Sequence, residues 1–137
     1  MGRWIDQTTF YDKNNPKSGD CTRAAVASIL GLPLRDVFAF EQAGNDAYIF
    51  WTTFEDFLVQ KGFWTMRKDT DRYVPEGYYL AGGPSVRGCE HMVVMKDGEL
   101  AHDPHPSRNG IIKVEHVWIL IPFDPAKNPI SRSVWPE

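Results

Sequence analysis

Apolar and polar positions follow two different rhythms along this chain, and the change of rhythm divides it. From Cys21 to Leu30 the residues are small or apolar on nearly every side: Ala24, Ala25, Val26, Ala27, Ile29 and Leu30. That pattern predicts a helix buried on more than one face. Gly31 suits the left-handed position after its last turn, and Pro33 stops it or opens a short successor over Leu34 to Phe40. A second helix is predicted over Trp51 to Gln60, closed by Gly62. Trp51, Phe54 and Leu58 share a face, and Thr52 and Glu55 stand at capping-box spacing.

After Gly62 the rhythm becomes that of strands. Phe63 to Arg67, Gly77 to Ala81, His91 to Met95, Glu99 to Asp103 and Val114 to Phe123 are β-like runs bounded by turn residues. Gly82 to Gly88 reads as a flexible loop. Residues 1–20 are polar and turn-rich, and 124–137 read as an irregular tail. Helices first and strands later predict an α+β fold with an antiparallel sheet packed on the first helix. At 137 residues, one domain spanning 1–137 is expected.

Composition excludes several function classes. Lys and Arg number 15 against 18 Asp and Glu, with no basic run, so a nucleic-acid partner is not expected. No apolar run reaches the length of a membrane span, and no secretory signal opens the chain. These features predict a cytoplasmic protein, where a reducing environment disfavours a disulfide between Cys21 and Cys89.

Candidate chemistry begins at Cys21, at the join between the loop ending Gly19-Asp20 and the first helix. Unpaired backbone N–H groups and the helix dipole favour thiolate at such a position. Asp20 opposes that unless its carboxylate caps the helix. His91 is the candidate base and Asp103 the carboxylate that orients it; cysteine, histidine, then carboxylate is an order found in thiol hydrolases. Gln7 is a candidate oxyanion donor beside the Cys21 N–H, with a solvated loop glutamine as the plain alternative. The turn at Asp97-Gly98 leaves two registers open. A two-residue loop pairs Lys96 with Glu99 and sets His91 opposite Pro104. A three-residue loop pairs Met95 with Glu99 and sets His91 opposite Asp103; it is preferred because Gly98 fits its left-handed position. Cys89, His91, His102, Asp103 and His105 also form a metal-capable set, though without HExxH or paired CxxC spacing.

Several segments together carry a resemblance. They are Gln7-Thr8-Thr9-Phe10, Gly19-Asp20-Cys21, Ala27 to Pro33, Gly77-Tyr78-Tyr79, Gly83-Pro84-Ser85, and His91-Met92-Val93-Val94 through His102 to Ser107. Over about residues 5–110 the chain resembles small uncharacterised bacterial and bacteriophage proteins that are similar to papain-like cysteine peptidases, including the peptidase domains of bacteriocin exporters. The resemblance implies a papain-like α+β fold with Cys21 as nucleophile, His91 as base and Asp103 as orienter. Gln7 matches the oxyanion glutamine in order only; it precedes Cys21 by more than the usual spacing, so the polar loop between them is read as an insertion. The expected function is a cysteine hydrolase, peptidase or amidase, or an acyl transferase, needing no cofactor and taking a peptide or other amide substrate. The alternatives are a papain-like module that binds a peptide or host protein without turnover, and a metal-dependent hydrolase using the histidine set.

Overall fold

The computed structural model describes residues 4–15, 17 and 19–126. Helix α1 spans Cys21–Leu30 and helix α2 Ala47–Gln60. Five strands follow: β1 (Phe63–Lys68), β2 (Tyr78–Pro84), β3 (Glu90–Lys96), β4 (Glu99–His102) and β5 (His116–Pro122). They form one antiparallel sheet in the order β1-β5-β2-β3-β4. This is the α+β arrangement expected from the change of rhythm.

The sheet is packed on both faces. Tyr78, Leu80, Met92, Val94, Trp118 and Leu120 meet Ala25, Val26, Ile29, Phe54 and Leu58 of the two helices. Tyr79, Ala81, Val93, Met95 and Val117 form a smaller cluster on the other face, under Ile111 and Val114. A β2 covered on both faces explains its continuous apolar run. Among the described residues no helix is long and apolar enough to cross a membrane.

Several expected boundaries are corrected. The second helix starts at Ala47, four residues before Trp51, because Asp46 caps it: its Oδ1 accepts from Ile49 N at 3.1 Å. Thr52 is therefore inside the helix and is no cap. The helix expected over Leu34 to Phe40 is two single 3-10 turns, Leu34–Asp36 and Phe40–Ala43. Of the expected tail, 127–137 lie outside the described residues.

Gly82-Gly83-Pro84 is no loop; it completes β2 between β3 and β5. Glycine is required there by close approach. A Cβ on Gly82 would meet the Trp118 ring at 3.1 Å, and one on Gly83 would lie 2.0 Å from the Lys113 carbonyl oxygen. The returning chain, 103–115, uses that space to bond along β2: Glu115 N donates to Gly82 O at 2.8 Å and Ile112 N to Pro84 O at 2.7 Å. Gly83→Ala is expected to cost about 1–3 kcal/mol of folding stability, the usual range for overpacking. Urea titration of the two proteins measures it; equal midpoints would contradict the close approach.

Candidate functional site

The hairpin joining β3 and β4 builds half of the site. Its loop has two residues, with Asp97 at φ 52° and Gly98 at φ 88°, and Lys96 pairs with Glu99. Two left-handed residues in succession define a type I′ turn, which matches the twist of the strands. The preferred three-residue loop is thereby corrected. In an unbroken two-residue register, Asp103 would stand across from Met92, on the opposite face from His91. A bulge prevents that. Met95 pairs with Leu100 but Val94 pairs with His102, so Ala101 is the extra residue. The shift returns Asp103 to the face shared by His91 and Val93.

Asp103 and His91 then meet. His91 Nε2 lies 2.5 Å from Asp103 Oδ1, and both side chains are almost fully withdrawn from water. The carboxylate also accepts from His105 N at 2.9 Å and Gly110 N at 2.7 Å. Because the carboxylate accepts, Nε2 carries hydrogen, and Nδ1 is the ring nitrogen left for other partners. Burial alone lowers the His91 pKa, but hydrogen bonding to Asp103 and the influence of Cys21 outweigh it and raise it to about 9. Burial likewise pushes Asp103 up, and the bonds from His91, His105 and Gly110 reverse this and hold it at about 2.

Cys21 comes from the other side. It is half-buried at the first position of α1 and lines two cavities together with His91. Asp20 makes no side-chain cap on this helix, so its charge is not eased in that way. Its buried carboxylate turns back instead. It accepts from Thr8 N at 2.9 Å, Thr8 Oγ1 at 2.7 Å and Thr9 N at 3.0 Å. Those bonds hold the N-terminal segment against the start of α1 and fix Gln7 beside Cys21. Gln7 N also donates to Pro104 O at 3.0 Å. Gln7 is buried and lines the smaller cavity with Cys21, His91 and His105. Its Nε2 donates one hydrogen to Thr9 O at 2.9 Å, while its Oε1 is buried with no hydrogen-bond partner among the described residues. No described residue accepts from the Cys21 N–H.

The structure therefore gathers Cys21, His91, Asp103 and Gln7 into one region. Cys89, His91 and His105 line the same small cavity, but among the described residues the ligand atoms of the expected metal-capable set do not converge as a group. His102 Nε2 sits 2.9 Å from Ile5 O, and its ring stacks on Trp4 at 5.3 Å. His105 Nδ1 is 2.9 Å from Ser107 Oγ. Cys89 Sγ is 3.5 Å from Ser85 Oγ. Among the described residues, the group whose ligand atoms do converge is Glu90, Glu115 and His116, all within 4.8 Å of one another. Sequence reading missed that group, since its members lie on β3 and at the start of β5. It also missed the Gly110 N–H beneath Asp103, which the Asn109-Gly110 turn dipeptide signals. Arg108 closes the loop above the carboxylate, donating to Asp103 O at 2.6 Å and pairing with Asp6 at 2.6 and 2.9 Å.

In comparisons with known proteins, no family model, no curated protein and no solved structure matches the chain. The site's own geometry therefore carries the functional argument.

Three titrations follow. His91 is expected to keep its proton to about pH 9, while His102 and His105, both lowered by burial first, lose theirs below the ordinary 6.5. Ring-proton NMR from pH 5 to 10 separates them, and Asp103→Asn should bring His91 down. A raised histidine stabilises the fold fully below its ordinary pKa and loses that contribution through its folded one. A lowered aspartate contributes above its ordinary pKa and loses it on acidification. The pair's contribution is thus complete between about pH 3.8 and 6.5, fading as pH rises through 9 or falls through 2. Asp103→Ala, which strands a buried imidazolium and two N–H groups, should cost about 3–5 kcal/mol in denaturant melts at pH 6.

Proposed function

We propose that this protein is a papain-like cysteine hydrolase or acyl transferase acting on an amide or thioester carbonyl, with peptide bonds or other amides as its substrate class. The observation that carries the reading is the His91 ring: one nitrogen is tied to a buried carboxylate, and the ring lines the same two cavities as Cys21. A ring so oriented is the partner that a nucleophilic thiol needs.

With its pKa raised to about 9, His91 already holds the proton at Nδ1 near neutral pH, Cys21 reacts as the thiolate of that pair, and Asp103 stabilises the imidazolium. Sulfur attacks the carbonyl carbon, whose oxygen takes up the negative charge. The Cys21 N–H and the second hydrogen on Gln7 Nε2 are the donors available to it. Collapse breaks the bond to the leaving group, which takes the proton from His91, and leaves an acyl group on Cys21. Water, or an acceptor nucleophile, then gives a proton to His91 and attacks the acyl carbon. The product leaves, restoring the sulfur anion beside the His91 imidazolium. No step needs a metal or cofactor.

Iodoacetamide tests this without a known substrate. Cys21 is expected to alkylate faster than Cys89 near neutral pH, and His91→Gln should slow it by about tenfold or more, within the range for loss of an acid–base partner. Peptide mass spectrometry assigns the site, and circular dichroism checks the fold. Equal rates with and without His91 would leave a cleft that binds peptide without turnover.

A further inference from the structure

Cys21 shares its cavity with a second thiol. The chain has two cysteines; both are free and half-buried, and both line the smaller of the two cavities at His91, about 160 Å³. Acyl transfer through Cys21 leaves Cys89 without a role. The contact of the Cys89 sulfur among the described residues is Ser85 Oγ, at 3.5 Å.

The sheet sets Cys89 in that cavity. Strands β2 and β3 pair as far as Pro84 and Glu90, and the ladder runs on through the bond from Ser85 N to Cys89 O at 2.9 Å. Side chains alternate along a strand, so Cys89 leaves on the same side as His91, two residues later and about 6.7 Å further along. Cys21 reaches the same space from the first position of α1.

The turn that carries Cys89 has room to adjust. Val86, Arg87 and Gly88 are exposed, and nothing lies within 4 Å of the place a Gly88 Cβ would take. A disulfide needs its two Cα atoms within about 7 Å of each other. A short exposed turn with a glycine at φ 86° is the element able to shift toward α1.

We propose that Cys21 and Cys89 are a redox pair: a peroxide oxidises Cys21, Cys89 captures the product as an intramolecular disulfide, and a dithiol reductant restores both thiols. The inference rests on the reading of Cys21 as the nucleophile, since a thiolate beside an imidazolium is the form that peroxides oxidise.

In the first step the Cys21 sulfur attacks one peroxide oxygen, the O–O bond breaks, and the departing oxygen takes the proton held by His91. Sulfur gives up two electrons and the peroxide gains them, leaving a sulfenic acid and water or an alcohol. In the second step the Cys89 sulfur attacks the Cys21 sulfur, the S–O bond breaks, and the Cys89 proton leaves with the hydroxide as water. The dithiol then opens the S–S bond by two exchanges and is itself oxidised to a disulfide. In a reducing compartment the bond lasts only while the oxidant does. The pair withdraws the nucleophile reversibly and keeps its sulfenic acid from irreversible oxidation to sulfinic acid.

Hydrogen peroxide tests the pair on the full chain. After treatment of the reduced protein, remaining thiols are blocked with N-ethylmaleimide and peptides are read by mass spectrometry without reductant. The expected product is a monomer two hydrogens lighter, with the Cys21 and Cys89 peptides linked. Dithiothreitol should then return iodoacetamide labelling of Cys21 to its starting rate. Cys89→Ser and Cys89→Ala should give no linked peptide, accumulate sulfinic acid at Cys21 and lose that recovery. His91→Gln should slow linkage about tenfold or more, as it slows alkylation. Sulfinic acid on wild-type Cys21 with Cys89 still free, or linkage found only in a covalent dimer, would overturn the pair; alkylation that still depends on His91 would then leave the nucleophile reading intact. Linkage equally fast in His91→Gln would come from proximity alone and sink the thiolate step. Alkylation that ignores His91 removes both readings.

Discussion

The buried contact between His91 and Asp103 is the interaction around which the rest is arranged. Neither group tolerates an apolar interior alone, since an unpaired buried charge costs several kcal/mol. The fold therefore supplies the carboxylate with three donors: the imidazole and the N–H groups of His105 and Gly110. To do so, the chain after β4 must turn beneath the carboxylate and return. Arg108, in a left-handed conformation, bonds the Asp103 carbonyl and clamps that turn to Asp6. A side chain that would destabilise the interior on its own becomes a fixed orienting group for the ring.

That arrangement needs two irregular devices in an otherwise regular sheet. The bulge at Ala101 reverses the side-chain alternation of β4 and brings Asp103 to the face of His91. The glycine pair in β2 lets the returning chain approach within bonding distance of the strand. Both devices give up local regularity, and both serve positions at the cleft. Asp20 is a third case. It leaves the helix uncapped and spends its carboxylate on Thr8 and Thr9, which keeps Gln7 at the mouth beside Cys21.

Legibility in the sequence followed the range of the forces involved. The first helix, the five strands and their antiparallel character were readable because periodicity and turn residues are local signals. Boundaries were misread where a local signal had a stronger competitor. Thr52 has a good capping pattern, yet Asp46 lies upstream and starts the helix earlier. Gly82-Gly83 resembles a loop by composition, but burial between two strands gives those residues another purpose. The candidate residues Cys21, His91, Asp103 and Gln7 were named from residue type and order, and the fold gathers all four. The three-residue loop is not what brings His91 and Asp103 together: the loop has two residues, and the bulge at Ala101 supplies the shift.

By itself, the sequence determined the class of fold and the small set of side chains able to carry chemistry. Periodicity and residue type act over a few positions, and they do not depend on which segments later meet. Only the tertiary structure decided which histidine faces the carboxylate, where Asp20 directs its charge, and that Glu90, Glu115 and His116 converge. Each of those depends on register or on the approach of segments far apart in the chain, and a single-residue shift in pairing would have reversed the faces.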